Sequence, residues 1–187
     1  MGQQEAAVAR VAPSDSLFAA LMGDQGDLMG RWTAYEPRFR EFARVLSDEG
    51  TALRLDVADV ACMLDVSCDD LVRIANGEAV RRRSPGPPAL EETRPAWADR
   101  AATVEHSVDA AAILGRGHEP LRTILEAVGR MQDGEMLMVR APFHPKPLRR
   151  LLRGRGYESF AEQVAPDQWR AYFRRPPASA EREEGRP

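Results

Sequence analysis

The chain has 187 residues, 43% of them apolar and 29% charged, with a formal net charge of −3. That length accommodates one ordinary domain or two small ones, and no apolar run approaches the roughly 20 residues of a membrane-spanning helix. The balance also excludes a strongly basic nucleic-acid surface. The opening stretch MGQQEAAVARVAPSDS lacks a basic start followed by an apolar run, so no secretory signal is read in it and a cytoplasmic address is expected.

Charge is distributed unevenly. Residues 1–80 hold 7 Arg/Lys against 14 Asp/Glu, a net of −7, whereas residues 105–175 hold 12 against 9, a net of +3. An acidic front half and a mildly basic back half argue for two modules. Residues 1–14 are expected to be disordered, and 15–80 to form a helical module. Within it, DSLFAALM starts with a cap at Asp15 or Ser16 and sets Leu17, Phe18 and Leu21 on one side. EPRFREFARVL spaces Phe39, Phe42 and Val45 helically, with Pro37 in the first turn. LDVADVACMLDVSCDDLVRIANGE gives two short helices: Val57, Val60, Ala61 and Leu64 line one, Leu71, Ile74 and Ala75 the other, and Gly77 stops the second.

Residues 81–104 read as a linker, because RRRSPGPPALEETRP concentrates Pro and Gly and has little to bury. After it the period changes. SVDAAAIL (107–114) predicts a strand, and Leu121, Ile124, Leu125 and Val128 mark a helix. GEMLMVRA predicts a second strand, and HPKPLRRLLRGRG a helix from near Pro147 to Gly154 or Gly156. YESFAEQV and WRAYFRR close as a hairpin around APDQ. In the last strand Trp169, Ala171 and Phe173 alternate with Arg170, Tyr172 and Arg174, which predicts one buried and one wet face. The fold class is therefore α+β: an all-α N-terminal module and a βαβαββ two-layer sandwich over 105–175. Its first two strands are parallel, and both helices lie on one face. Residues 176–187, PPASAEREEGRP, read as a disordered tail.

LGRGHEPLRTILEAVGRMQDGE, FHPKPLRRLL and the closing DQWRAYFRR resemble the TusA-like (SirA-like) sulfur-carrier fold. The closer resemblance is to its uncharacterised bacterial relatives, domains of unknown function without the carrier cysteine. In the sulfur carriers the first loop reads Cys-Pro-x-Pro, the cysteine holding a persulfide at a helix start. Alignment on Glu119-Pro120 puts Gly117 at the cysteine position and His118 at the first proline, so the resemblance implies the fold without the persulfide chemistry. Residues 24–78, through LMGRWTAYEPRFREFARVL and the two-helix stretch after it, more loosely resemble an uncharacterised helical module. That module is found beside such domains and in bacterial sensor or hemerythrin-type proteins.

Parallel strands send their following loops to the same end of a sheet. Arg116, His118 and Glu119 are therefore expected near His144 and Lys146, where two helix starts also converge. That combination suits a phosphate, a carboxylate or an acidic partner side chain. Set against it is a plainer reading of two capped helices with exposed histidines. A metal is a further alternative, held by His118 and His144 with Glu119, although no second ligand motif completes the set. His106, at the far end of the first strand, is a poor third ligand. No catalytic signature is complete: GxSxG, a cysteine beside His118, paired carboxylates, and phosphate-loop or dinucleotide fingerprints are all missing, and no cofactor is implied.

Cys62 and Cys68 read as free thiols without metal spacing; thiol chemistry at either one is the sulfur-handling alternative. Residues 56–76 have a helix-turn-helix cadence followed by Arg81, Arg82 and Arg83, but Asp69 and Asp70 fall where DNA contacts would be made, so nucleic acid is not the favoured partner. Arg149, Arg150, Arg153 and Arg155 are expected on the exposed side of their helix, opposite Leu148, Leu151 and Leu152. The reading reached is a non-catalytic accessory or regulatory protein of bacterial redox, sulfur or nitrogen-oxide metabolism that binds an anion or an acidic protein partner.

Overall fold

The computed structural model describes residues 10–23, 27–80, 94–100 and 104–177, with Asp99 and Arg100 described in backbone only. The chain divides into two compact units, Met1–Pro85 and Gly86–Pro187. Helices dominate the first and a four-stranded mixed sheet the second, the α+β composition expected.

In the first unit the described helices are α1 (Leu17–Gly23), α2 (Leu28–Tyr35), α3 (Phe39–Leu46), α4 (Glu49–Ala52), α5 (Val57–Leu64) and α6 (Cys68–Ala75). Their starts are marked by short polar caps. Asp27, Asp48 and Ser67 each accept an N–H three residues on, and Asp56 forms a reciprocal capping box with Asp59. Trp32 on α2 is fully buried, stacks at a tilt on Phe39 with ring centroids 5.4 Å apart, and donates its indole N–H to the Leu71 carbonyl at 3.1 Å. Periodicity overlooks α2 because only Leu28 and Trp32 of its eight residues are buried.

Residues 10–14, expected to be disordered, are instead tied down. Asn76 accepts the Val11 N–H at 2.9 Å and donates to its carbonyl at 3.0 Å, and Ala58 N–H reaches the Pro13 carbonyl at 3.1 Å. These long-range bonds satisfy backbone groups that local sequence leaves without partners.

In the second unit the described elements are β1 (His106–Asp109), α7 (Ala110–Gly115), α8 (Leu121–Val128), β2 (Met136–Ala141), α9 (Lys146–Gly154), β3 (Glu158–Ala165) and β4 (Gln168–Arg174). The sheet order is β1-β2-β4-β3, with β1 parallel to β2 and the remaining pairs antiparallel. The strand expected over 107–114 is corrected: only its first residues are extended. Asp109 caps a helix through the Ala112 N–H at 2.9 Å, and the following alanines continue as α7. One face of the sheet, with Leu137, Val139, Ala171 and Phe173 buried, packs under α8 and α9.

The other face is not wet as expected. Ala98 is fully buried there against Met136, Phe160 and Tyr172, and Trp97, Val104 and Met138 pack around them. Ala98 belongs to a 3-10 helix, Ala96–Arg100, inside the stretch read as linker. That reading is corrected for 94–98 and 104, which are packed; 81–93 and 101–103 lie outside the described residues, as do 1–9 and 178–187. The Pro and Gly of the segment rule out a long helix, but they do not prevent one short turn from burying a small and a large apolar side chain.

Candidate functional site

The turn between α7 and α8 carries Arg116, His118 and Glu119, all exposed. Its shape follows from the end of α7. Gly117 N–H donates to the Leu114 carbonyl at 2.8 Å and His118 N–H to the Ile113 carbonyl at 3.2 Å, with Gly117 at φ +78°. This is a left-handed helix terminator in which glycine avoids the Cβ penalty. Residue 117 thus has a backbone reason to be glycine. Glu119 Oε1 then accepts the Leu121 N–H at 3.3 Å, so the chain's own carboxylate sits at the start of α8.

The start of α9 is built differently. Lys146 N–H closes a tight turn onto the His144 carbonyl at 2.8 Å, and Pro147 has no N–H. Little backbone donor capacity is left there, and anion recognition rests on side chains. No acidic residue lies in the first turn. Lys146 is exposed, as is Phe143 just before it, at 56% of its surface. The half-buried His144 ring lies on Trp169, centroids 4.4 Å apart, and its Nε2 is 3.3 Å from Arg149 Nη1. Because a guanidinium only donates, Nε2 accepts and the ring is neutral with its proton on Nδ1. Burial, with Lys146 adding to it, lowers the pKa of His144 in the same sense.

Arg149 corrects a second expectation. It is 8% exposed, not on the solvent side, and donates to the Ser159 carbonyl at 3.2 Å and hydroxyl at 3.4 Å. Burial, then Arg153, pulls its pKa down. The signal was present: at 100° per residue Arg149 lies about 60° from Leu152, at the margin of the apolar stripe, while Arg150 is opposite it. Ser159 does not stand out in sequence, and Trp169 stands out only as a strand residue on one face of the sheet, because their part in this site depends on strands pairing far along the chain. The structure brings His144 together with Arg149 and Trp169. Arg116, His118 and Glu119 stand on a turn separated from β1 by α7, so the premise of a loop leaving the strand directly does not hold for them.

Among the described residues no three His, Cys, Asp or Glu side chains converge as a metal set requires. His106 pairs instead with Glu135, 2.9 Å apart, and the Gln132 N–H and then His106 lower the carboxyl's pKa. Cys62 and Cys68 are both half-buried free thiols. Burial raises both pKa values, with Asp59, Asp56 and Asp65 adding for Cys62 and Asp69 and Asp56 for Cys68. Fewer thiolates at neutral pH mean a weaker sulfur nucleophile. On α6, Asp69 is exposed and Asp70 accepts from the Tyr35 hydroxyl at 2.8 Å, which leaves a carboxylate where a recognition helix would meet phosphate.

Among the described residues no helix is long and apolar enough to cross a membrane. No curated protein and no solved structure matches the chain. Residues 107–175, spanning β1 to β4 and both sets of site residues, match the model of a family described as an uncharacterized conserved protein (DUF2249).

Proposed function

We propose that the sheet domain is a non-catalytic recognition module that binds an anionic group, most naturally a carboxylate of an acidic protein partner, at the start of α9. The observation that carries this reading is the cationic cluster there: exposed Lys146 beside buried Arg149, with His144 held neutral between Arg149 and Trp169 and no acid in the first turn. Exposed Lys146 presents its ammonium directly to solvent, where a charge is screened only over about a Debye length, while Arg149 fixes the His144 ring beside it through Nε2. The Arg116–Glu119 turn is the second, weaker part of the proposal, since Glu119 already occupies the start of α8.

The match of residues 107–175 to an uncharacterized conserved family fits a sulfur-carrier-like domain without the carrier cysteine; the wider role proposed with it is that of an accessory protein of bacterial redox, sulfur or nitrogen-oxide metabolism acting in the cytoplasm. The raised thiol pKa values of Cys62 and Cys68 favour this over persulfide carriage by either. An NMR titration with polyglutamate decamer tests the site. The amides of 143–149 are expected to shift saturably, the binding to weaken with salt, and Lys146→Ala to weaken it at least threefold. No shift in that segment at millimolar peptide would rule the site out.

A further inference from the structure

The contacts of residues 94–98 have the form of a peptide seated in a groove. Arg94 Nη1 pairs with Glu162 at 2.7 Å, its guanidinium lies over the Phe160 ring at 5.1 Å, and its Nη2 holds the Ala98 carbonyl at 3.2 Å. Trp97 takes the guanidinium of Arg174 at 5.4 Å from its ring. Ala98 fills the middle, fully buried against Met136, Phe160 and Tyr172. The pattern is an arginine, an indole three residues on, and then a small residue: Arg94, Trp97, Ala98. All of it lies ahead of the family match, which begins at 107.

We propose that the face of the sheet away from α8 and α9 is a peptide-docking groove which the chain covers with its own residues 94–98, and which a partner segment carrying the same Arg-x-x-Trp-small pattern enters when this strap is displaced. The groove supplies three complementary features across β2, β3 and β4. Glu162 takes the guanidinium, the Arg174 guanidinium takes the indole, and the apolar floor of Met136, Met138, Phe160 and Tyr172 takes the small residue. The strap is a short turn with Ala98 as its one deeply buried side chain among 94–98, and such an element opens at less free-energy cost than the strands beneath it. Tethering holds it closed: a segment joined to its own site sits at millimolar effective concentration, so a free copy competes poorly until the tethered one is weakened. This face is distinct from the α9 site, and the inference stands or falls independently of it.

A fluorescein-labelled synthetic peptide of residues 94–104, followed by anisotropy, tests the groove on the full chain. The peptide is expected to bind the Arg94→Ala/Trp97→Ala chain saturably and the unaltered chain at least tenfold more weakly. Adding Glu162→Lys to the double variant is expected to cut binding at least fivefold. Equal binding to the strap-weakened and unaltered chains overturns the proposal, as does absence of binding to a strap-weakened chain whose circular dichroism and cooperative melt are retained. If the double variant does not fold, Arg94→Ala alone, which removes a partly exposed side chain, must give the same ranking.

Discussion

The two faces of the four-stranded sheet are covered by different means. On one, α8 and α9 bury Leu137, Val139, Ala171 and Phe173 under two amphipathic helices whose leucines recur at helical spacing. On the other, Met136, Phe160 and Tyr172 lie under a single 3-10 turn held by one buried alanine, a half-buried indole and two cation–π contacts. The first cover is built on two leucine stripes, with Arg149 its one buried charge among the described residues of α8 and α9, so it sets stability. The second is small, polar at its rim and separable, so it suits recognition. The difference teaches that β4, which reads in sequence as half-wet, was provided for by residues more than sixty positions upstream.

The largest test removes an aromatic from each face. Phe173→Ala, on the helix face, is expected to cost about 3–5 kcal/mol in chemical denaturation. Phe160→Ala is expected to cost less than half of that, because the strap relaxes into the space. Equal losses would erase the distinction between the covers. A middle-sized effect is expected at the turn feeding α8. Gly117→Ala forces a Cβ onto a left-handed residue and is expected to lower stability by about 1 kcal/mol. Cysteine there carries the same strain, so Gly117→Cys is expected to cost as much in the same melt; no loss for either would mean that the turn is not what excludes a side chain.

The smallest effect concerns the place where the strap runs back into β1. Glu105 accepts the Met136 N–H at 2.9 Å, and Glu135 holds His106 and the Gln132 N–H. The Glu135 pKa is depressed by folding, so its contribution is present above the ordinary carboxylate pKa and is lost as pH falls through the lower folded value. The difference in melting temperature between the unaltered chain and Glu135→Gln is therefore expected to shrink below about pH 4. A difference that stays constant from neutral pH to acid would show that the carboxylate charge plays no part there.

Much of the fold was legible because it is written in local periods. The stripes Leu121–Val128 and Leu148–Leu152 each report burial within a few residues of themselves. The site was legible only in part. His144 and Lys146 stand out as unusual side chains at a helix start, whereas Arg149 reads as solvent-facing because Ser159, which accepts its hydrogen bonds, lies on β3 and meets it only after folding. The strand expected through Ala110–Leu114 failed for the opposite reason: an apolar run of that length fits either period, and a single cap at Asp109 decides it.

By itself, then, the amino-acid sequence determined the order of the four strands and of helices α1, α3, α5, α6, α8 and α9, the division of charge between the two halves, and the absence of a side chain at 117, since all of these depend on neighbours close along the chain. Only the tertiary structure decided that Arg149 is buried beside a neutral His144 and that residues 94–98 close the second face of the sheet. Those outcomes depend on groups that sequence separates widely, and burial of a charge or of a sheet face is a property of what packs against it.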